Sequence, residues 1–186
     1  MIEVRLHGRG GQGAVTSAEL LAQAAIGTGQ YAQAFPSFGP ERRGAPVQAF
    51  LRVSDNPIRL RSKIYKPDNV IILDPTLLGA VNPAEGLKQN GFIVINSNKS
   101  AEEVKKLFPG CNIAIVDASH IAKEELGVPI TNTTMLGALI KATNMVALDA
   151  LEGPVRARFG VIAQKNINAY MRAYKETKII KAKQSE

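Results

Sequence analysis

Cysteine is almost absent from this chain: Cys111 is the only one in 186 residues. A single thiol excludes an intrachain disulfide. It also excludes a self-contained iron–sulfur cluster, which takes about four thiolates. Two histidines, His7 and His120, are too few for a conventional zinc site. Without a bound cofactor the chain has little redox chemistry of its own. Tryptophan is missing and aromatics make up 5%, which argues against a nucleic-acid face, where charge is normally interleaved with exposed aromatics. No apolar run reaches the roughly 18–20 residues that span a bilayer. The opening Met1-Ile2-Glu3-Val4-Arg5 lacks the basic start and apolar stretch of a secretory signal. The expectation is a cytoplasmic protein that engages neither membrane nor nucleic acid.

What is present is the composition of a folded chain, with 45% apolar and 21% charged residues. The expected organisation is a single α/β domain over 1–178 followed by a charged, frayed tail over 179–186. The net charge of +7 is unevenly placed. Residues 41–66 hold seven cations (Arg42, Arg43, Arg52, Arg59, Arg61, Lys63, Lys66) against Glu41 and Asp55, a net of +5. Residues 172–183 hold Arg172, Lys175, Lys178, Lys181 and Lys183 against Glu176, a net of +4. Each segment is suited to an anionic ligand or an acidic partner.

Along the chain, Ile2-Glu3-Val4-Arg5-Leu6-His7 alternates with a period of two and predicts a strand. Gly8-Arg9-Gly10-Gly11-Gln12-Gly13 follows as a turn. A helix from Val15 to Gly27 then places Ala18, Leu21, Ala22 and Ala25 inward, with Thr16, Ser17, Glu19 and Gln23 facing away. Prolines and glycines in 33–46 predict an irregular loop. Val47–Val53 and Ile58–Arg61 read as a hairpin joined by Ser54-Asp55-Asn56-Pro57. Val70–Leu73, Phe92–Ile95 and Ile113–Val116 are continuous apolar runs of the kind found in buried parallel strands. Helices are expected near 76–89, 100–108 and 118–126, then from Asn132 or Thr133 to Leu151, and from Gly160 to Thr177. The pattern predicts a three-layer α/β sandwich with a mostly parallel sheet, a Rossmann-like start and one antiparallel hairpin. Ligands of such sheets gather beyond the carboxyl ends of the strands. That rule selects Gly8–Gly13, Asp74–Thr76, Asn96–Asn98 and Asp117–Ser119.

Gly8, Gly10 and Gly13 fit the spacing G-x-G-x-x-G, between a strand and a helix, where free N–H groups suit a phosphate. A dinucleotide site also wants an acidic residue about 20 positions further on, to hold the ribose. Between Glu19 and Glu41 there is none. The turn, with Gly8, Gly10, Gly11, Gln12 and Gly13 as its candidates, therefore faces some other phosphate or acyl-carrier anion, or packs a helix on the sheet or docks a subunit. In the loop that follows, Arg42 and Arg43 can fork onto carboxylate or phosphate. Phe38, Glu41, Arg42, Arg43 and Gly44 are the candidate partner-binding set. Asp74 and Asp117 read as caps of the helices they precede. His7, His120 and Cys111 read as ordinary strand, helix-start and turn residues. No catalytic triad or carboxylate pair can be assembled, and no residue is assigned as catalytic or metal-binding.

Gly8–Ala14, Gln33–Pro36 and Gly39–Val47 resemble the gamma subunit of 2-oxoacid:ferredoxin oxidoreductases. Pro57-Ile58-Arg59, Pro67-Asp68, Asp74–Leu77, Asn132–Ala138 and Lys165-Asn166-Ile167 are similar to later blocks of the same family. The resemblance implies a complex with alpha, beta and delta-type subunits that oxidatively decarboxylates a 2-oxoacid, transfers the acyl group to coenzyme A and reduces ferredoxin. It implies that thiamine diphosphate, Mg and the iron–sulfur clusters sit on other subunits, with no cofactor held firmly by this one. Arg43-Gly44-Ala45-Pro46 resembles the pyruvate-type chains. The 2-oxoisovalerate, 2-oxoglutarate and indolepyruvate types are the alternatives within the family. A stand-alone nucleotide-binding module is the alternative from another class.

Overall fold

The sheet is built outward on both sides from the strand β1, Ile2–Arg9. Its alternation sends Val4 and Leu6 into one core and Arg5 and His7 to the opposite face, and all four are buried. In the computed structural model, which describes residues 1–37 and 43–182, six more strands complete one sheet. They are β2 (Tyr31–Pro36), β3 (Pro46–Ser54), β4 (Asn69–Ile72), β5 (Phe92–Asn96), β6 (Asn112–Val116) and β7 (Lys178–Ile180). The order across the sheet is β2-β3-β1-β4-β5-β6-β7. β1, β4, β5 and β6 are mutually parallel neighbours. β3 runs antiparallel to both β1 and β2, and β7 runs antiparallel to β6. β2 therefore points the same way as β1, and only β3 and β7 oppose the majority direction.

The helices are unequally shared between the two faces. α1 (Ala14–Gly27), α3 (Ala118–Leu126), α4 (Asn132–Thr143), α5 (Glu152–Phe159) and α6 (Ala163–Glu176) all add residues to the core that holds Val4 and Leu6. The tightest junction in this layer is at Gly137. A Cβ there would overlap the backbone carbonyl of Tyr170, so only glycine lets α4 and α6 close. Among the described residues the other face carries one α-helix, α2 (Ala101–Leu107), over Val70, Ile72, Ile93, Ile95, Ile113 and Ile115. α2 is started by a capping box, Ser100 with Glu103.

The rest of that second face is closed by chain without regular helix. Arg52 on β3 is 1% exposed. It donates to Glu3 Oε1 (2.9 Å), Gln33 Oε1 (3.3 Å) and the Ser62 carbonyl (2.7 Å). Arg5 donates to His7 Nε2 (3.0 Å) and to the carbonyls of Pro83 and Glu85. Two buried guanidinium groups thus hold two irregular segments on the sheet.

The expected elements are present with five differences. Residues 33–36 are strand, since Pro36 ends an edge strand and Pro46 begins the next, the two places where a sheet tolerates proline. The hairpin is β2–β3; Ile58–Arg61 is not a strand, because β1 and β2 already occupy both sides of β3. In place of a helix at 76–89 there is a 3-10 turn, Pro75–Gly79, beyond which Pro83 and Gly86 (φ 72°) break the pattern. The helix from Asn132 stops at Thr143, where Asn144 turns left-handed (φ 49°). α5 follows, with Pro154 in its first turn, where no N–H is required. Finally, Ile179 and Ile180, expected to begin a frayed tail, pair with β6 as part of β7; residues 183–186 of that tail lie outside the described residues. Among the described residues no helix is long and apolar enough to cross a membrane.

Candidate anion-binding site

The chain runs outward from β1 in both directions across the sheet, so β1 and β4 flank a topological switch point. The glycine turn leaves the carboxyl end of β1, and Asp74 lies just past the carboxyl end of β4. A four-residue clamp joins them. Asp74 Oδ2 accepts from Arg9 Nε (3.1 Å) and Gln12 Nε2 (2.9 Å). Asp74 Oδ1 accepts from Thr76 N (2.9 Å) and Thr76 Oγ1 (2.7 Å). Thr76 Oγ1 in turn accepts from Arg9 Nη2 (2.8 Å). Partial burial pushes the Asp74 carboxyl up, but the bonds from Thr76 and Gln12 and the Arg9 charge outweigh it, and its pKa ends below the usual value. Asp74 is therefore an anion whose charge is used within the clamp.

The clamp also fixes the second candidate loop. Arg9 Nη1 donates to the Gly44 carbonyl (3.1 Å), Gly10 N to the Ala45 carbonyl (2.9 Å) and Gly44 N to the Gly10 carbonyl (3.1 Å). Arg43 and Gly10 form a parallel bridge. The backbones of Arg43 and Gly44 thus lie against the glycine turn. Phe38, Glu41 and Arg42 lie outside the described residues.

An open pocket of about 520 Å³ sits beside the turn, lined by Arg9, Gly10, Gly11, Gly13, Thr16 and Pro36 among others. Its floor is the amino end of α1, which has no side-chain cap and no acidic residue in its first turn. The unshared N–H groups of that turn give the pocket a positive partial charge. The five candidates of the turn divide into three roles. Gly10, Gly11 and Gly13 line the pocket. Gly8 lies within β1, where a Cβ would press on Leu73 (3.2 Å) and Ala14 (3.5 Å), so it serves helix-to-sheet packing. Gln12 folds back, accepting from Arg9 N (2.7 Å) and donating to Asp74.

Gly13 has a further constraint. It adopts φ 80°, and a Cβ there would lie 2.5 Å from Asn132 Nδ2. Ser17, expected to face away, is buried and donates to the Asn132 carbonyl (3.2 Å). The glycine turn is thereby docked onto the amino end of α4. Asp74 and Asp117 act as the caps they were read to be, Asp117 accepting from His120 N (2.9 Å). The part of Arg9 was not read from the sequence; its only signal is a cation inside the glycine motif with an acid at the next strand end. Among the described residues no group of three metal-ligating side chains comes together.

The site is a helix-started pocket at the switch point of a mixed sheet in an α/β chain. The chain belongs to the family described as pyruvate ferredoxin/flavodoxin oxidoreductase, whose sequence model matches residues 3–176. It is 52% identical to the pyruvate/ketoisovalerate oxidoreductases common subunit gamma of Pyrococcus furiosus, over 96% of this chain and 98% of that one. The crystal structure of pyruvate oxidoreductase subunit PORC from Thermotoga maritima superposes with a TM-score of 0.86 at 39% identity, covering 96% of this chain and 97% of that one. The same fold recurs in a 2-oxoglutarate:ferredoxin oxidoreductase from Magnetococcus marinus (TM-score 0.78, 20% identity), over 94% of this chain and 30% of that longer one.

Proposed function

We propose that this chain is the gamma subunit of a pyruvate-type 2-oxoacid:ferredoxin oxidoreductase, working in the cytoplasm with alpha, beta and delta-type subunits. The carrying observation is 52% identity along nearly the whole length of a gamma subunit. That relative's name joins pyruvate and ketoisovalerate, which makes the branched-chain 2-oxoacid the second substrate to test. The complex oxidatively decarboxylates the 2-oxoacid, hands the acyl group to coenzyme A and reduces ferredoxin. Thiamine diphosphate, Mg and the clusters supply the carbon and electron chemistry on other subunits; this chain has one cysteine and cannot furnish four thiolates.

The part proposed for this chain is to face coenzyme A. The donor set fits a phosphate: N–H groups open α1, and Gly10, Gly11 and Gly13 let an anion approach the backbone closely. Arg9 is already held by Asp74, so it shapes the turn, and Arg42 and Arg43 supply the further positive charge. In the assembled complex, R42A/R43A should raise the apparent KM for coenzyme A about tenfold, the loss of roughly 1.4 kcal/mol of ionic contact, with kcat retained. An unchanged KM in an intact complex overturns the assignment.

A further inference from the structure

The basic segment 41–66 is not one surface. Arg43 lies at the carboxyl end of β1, against Gly10. The residues that follow β3 lie at the other end of the sheet. Val53 pairs with Ile2, and Asp68 N donates to the Glu3 carbonyl (2.8 Å), so both ends of the connection between β3 and β4 sit at the amino end of β1. The four cations Arg59, Arg61, Lys63 and Lys66 are therefore remote from the glycine-turn pocket.

Three features set this connection apart. It is firmly held: the Ser62 carbonyl accepts from buried Arg52 (2.7 Å), Ile64 is buried, and the Pro67 carbonyl accepts from Lys88 N (3.0 Å). Gly86, with φ 72°, has no room for a Cβ against the Tyr65 carbonyl, so the neighbouring segment is shaped to receive it. Its cations are unspent. Arg59, Arg61, Lys63 and Lys66 form no ion pair among the described residues; helical surface lysines such as Lys105 and Lys165 form none either, but here the four cations fall within eight residues. No acid occurs between Asp55 and Asp68. Between the cations stand Leu60, 47% exposed, and Tyr65, 72% exposed. Anchored backbone lowers the ordering cost of association, and arginine with tyrosine is the composition of interface anchors.

We infer that residues 57–66 form a docking strip for an acidic surface on another subunit of the oxidoreductase complex. The inference rests on the reading of this chain as a gamma subunit and names the surface and the charge of the partner. The cations set register and association rate, and Leu60 and Tyr65 supply the dry contact between them. Occupation of the strip leaves the glycine-turn pocket, at the other end of β1, open to its ligand.

The test uses the complex made by co-expressing all its subunits, captured through a tag on a partner subunit. R59E/R61E/K63E/K66E should cut the amount of this chain retained about tenfold or more at low salt, and rising salt should release the wild-type chain in the same way. A control reversing four helical surface lysines, K105E/K123E/K165E/K175E, should be retained like wild type. Circular dichroism checks the fold of each, and the milder R59Q/R61Q/K63Q/K66Q and Y65S should give intermediate loss. Retention of the strip variants at the wild-type level overturns the inference while leaving the gamma-subunit reading intact. Equal loss in the control overturns it as well, by showing a general charge effect. A wild-type chain that co-purifies with no other subunit overturns both readings. Binding of single-stranded RNA that the strip variant alone loses, with assembly unaffected, reassigns the strip to nucleic acid.

Discussion

Protonating His7 should destabilise the chain well above the pH at which carboxylates titrate. His7 is buried on β1 and takes a hydrogen bond at Nε2 from Arg5 Nε (3.0 Å), which fixes the neutral ring with its proton on Nδ1. Burial, and then the adjacent Arg5 charge, push its pKa down to about 3, against about 6.5 in the unfolded chain. The unfolded chain therefore binds one more proton than the folded one between these values. The stabilisation is complete above pH 6.5 and drains away as the pH falls toward 3. Linkage gives a loss of about 2 kcal/mol between pH 7.5 and pH 5. With a urea slope of about 2 kcal/mol/M, that is a fall of about 1 M in the unfolding midpoint. Urea titrations of the wild type and His7→Gln at the two pH values provide the assay. Glutamine can still accept from Arg5 but does not titrate, so the variant should lose most of the pH-dependent shift whatever its absolute stability. A wild-type midpoint that stays constant, or a variant that shifts equally, refutes the reasoning.

Two further expectations concern glycines. G11A and G13A both place alanine at positive φ (92° and 80°), costing roughly 1 kcal/mol each; G13A alone also meets Asn132, so it should be the more destabilising by about 1–2 kcal/mol in urea unfolding. G137A forces α4 from the Tyr170 carbonyl on α6, and calorimetry should show a loss of about 3 kcal/mol or more, the upper range of overpacking.

The central sheet was legible because its strands are continuous apolar runs, and Val70–Leu73, Phe92–Ile95 and Ile113–Val116 need no partner information to be recognised. The edges were not. Tyr31–Pro36 carries a proline and Lys178–Ile180 carries charge, and each becomes a strand only because β3 or β6 offers it hydrogen bonds. The long apolar stretch from Asn132 hid a break at Asn144, whose left-handed turn costs little for asparagine and leaves no periodic trace. The glycine turn was found by its spacing, and the charges around it were not. Alternation marked Arg5 and His7 as part of the polar side of β1, but nothing local shows that they are buried or that Arg9, read as a turn residue, crosses to Asp74. Those facts depend on residues up to 80 positions away.

β7 changes where the chain leaves the molecule. It runs back against β6, so Ile180 pairs with Ile113 and Ala182 N donates to Asn112 Oδ1 (2.9 Å), beside the amino ends of the parallel strands where Ile2 also lies. Both ends of the fold thus emerge on the side away from the glycine turn. Polypeptide joined to either end, whether a purification tag or a whole additional domain, can be attached without passing the pocket. The Magnetococcus marinus chain, in which this fold occupies 30% of the length, shows the fold set within a longer polypeptide. The arrangement also advises the experimenter: a tag at either end should leave the pocket clear, and one inserted in the β2–β3 loop should not.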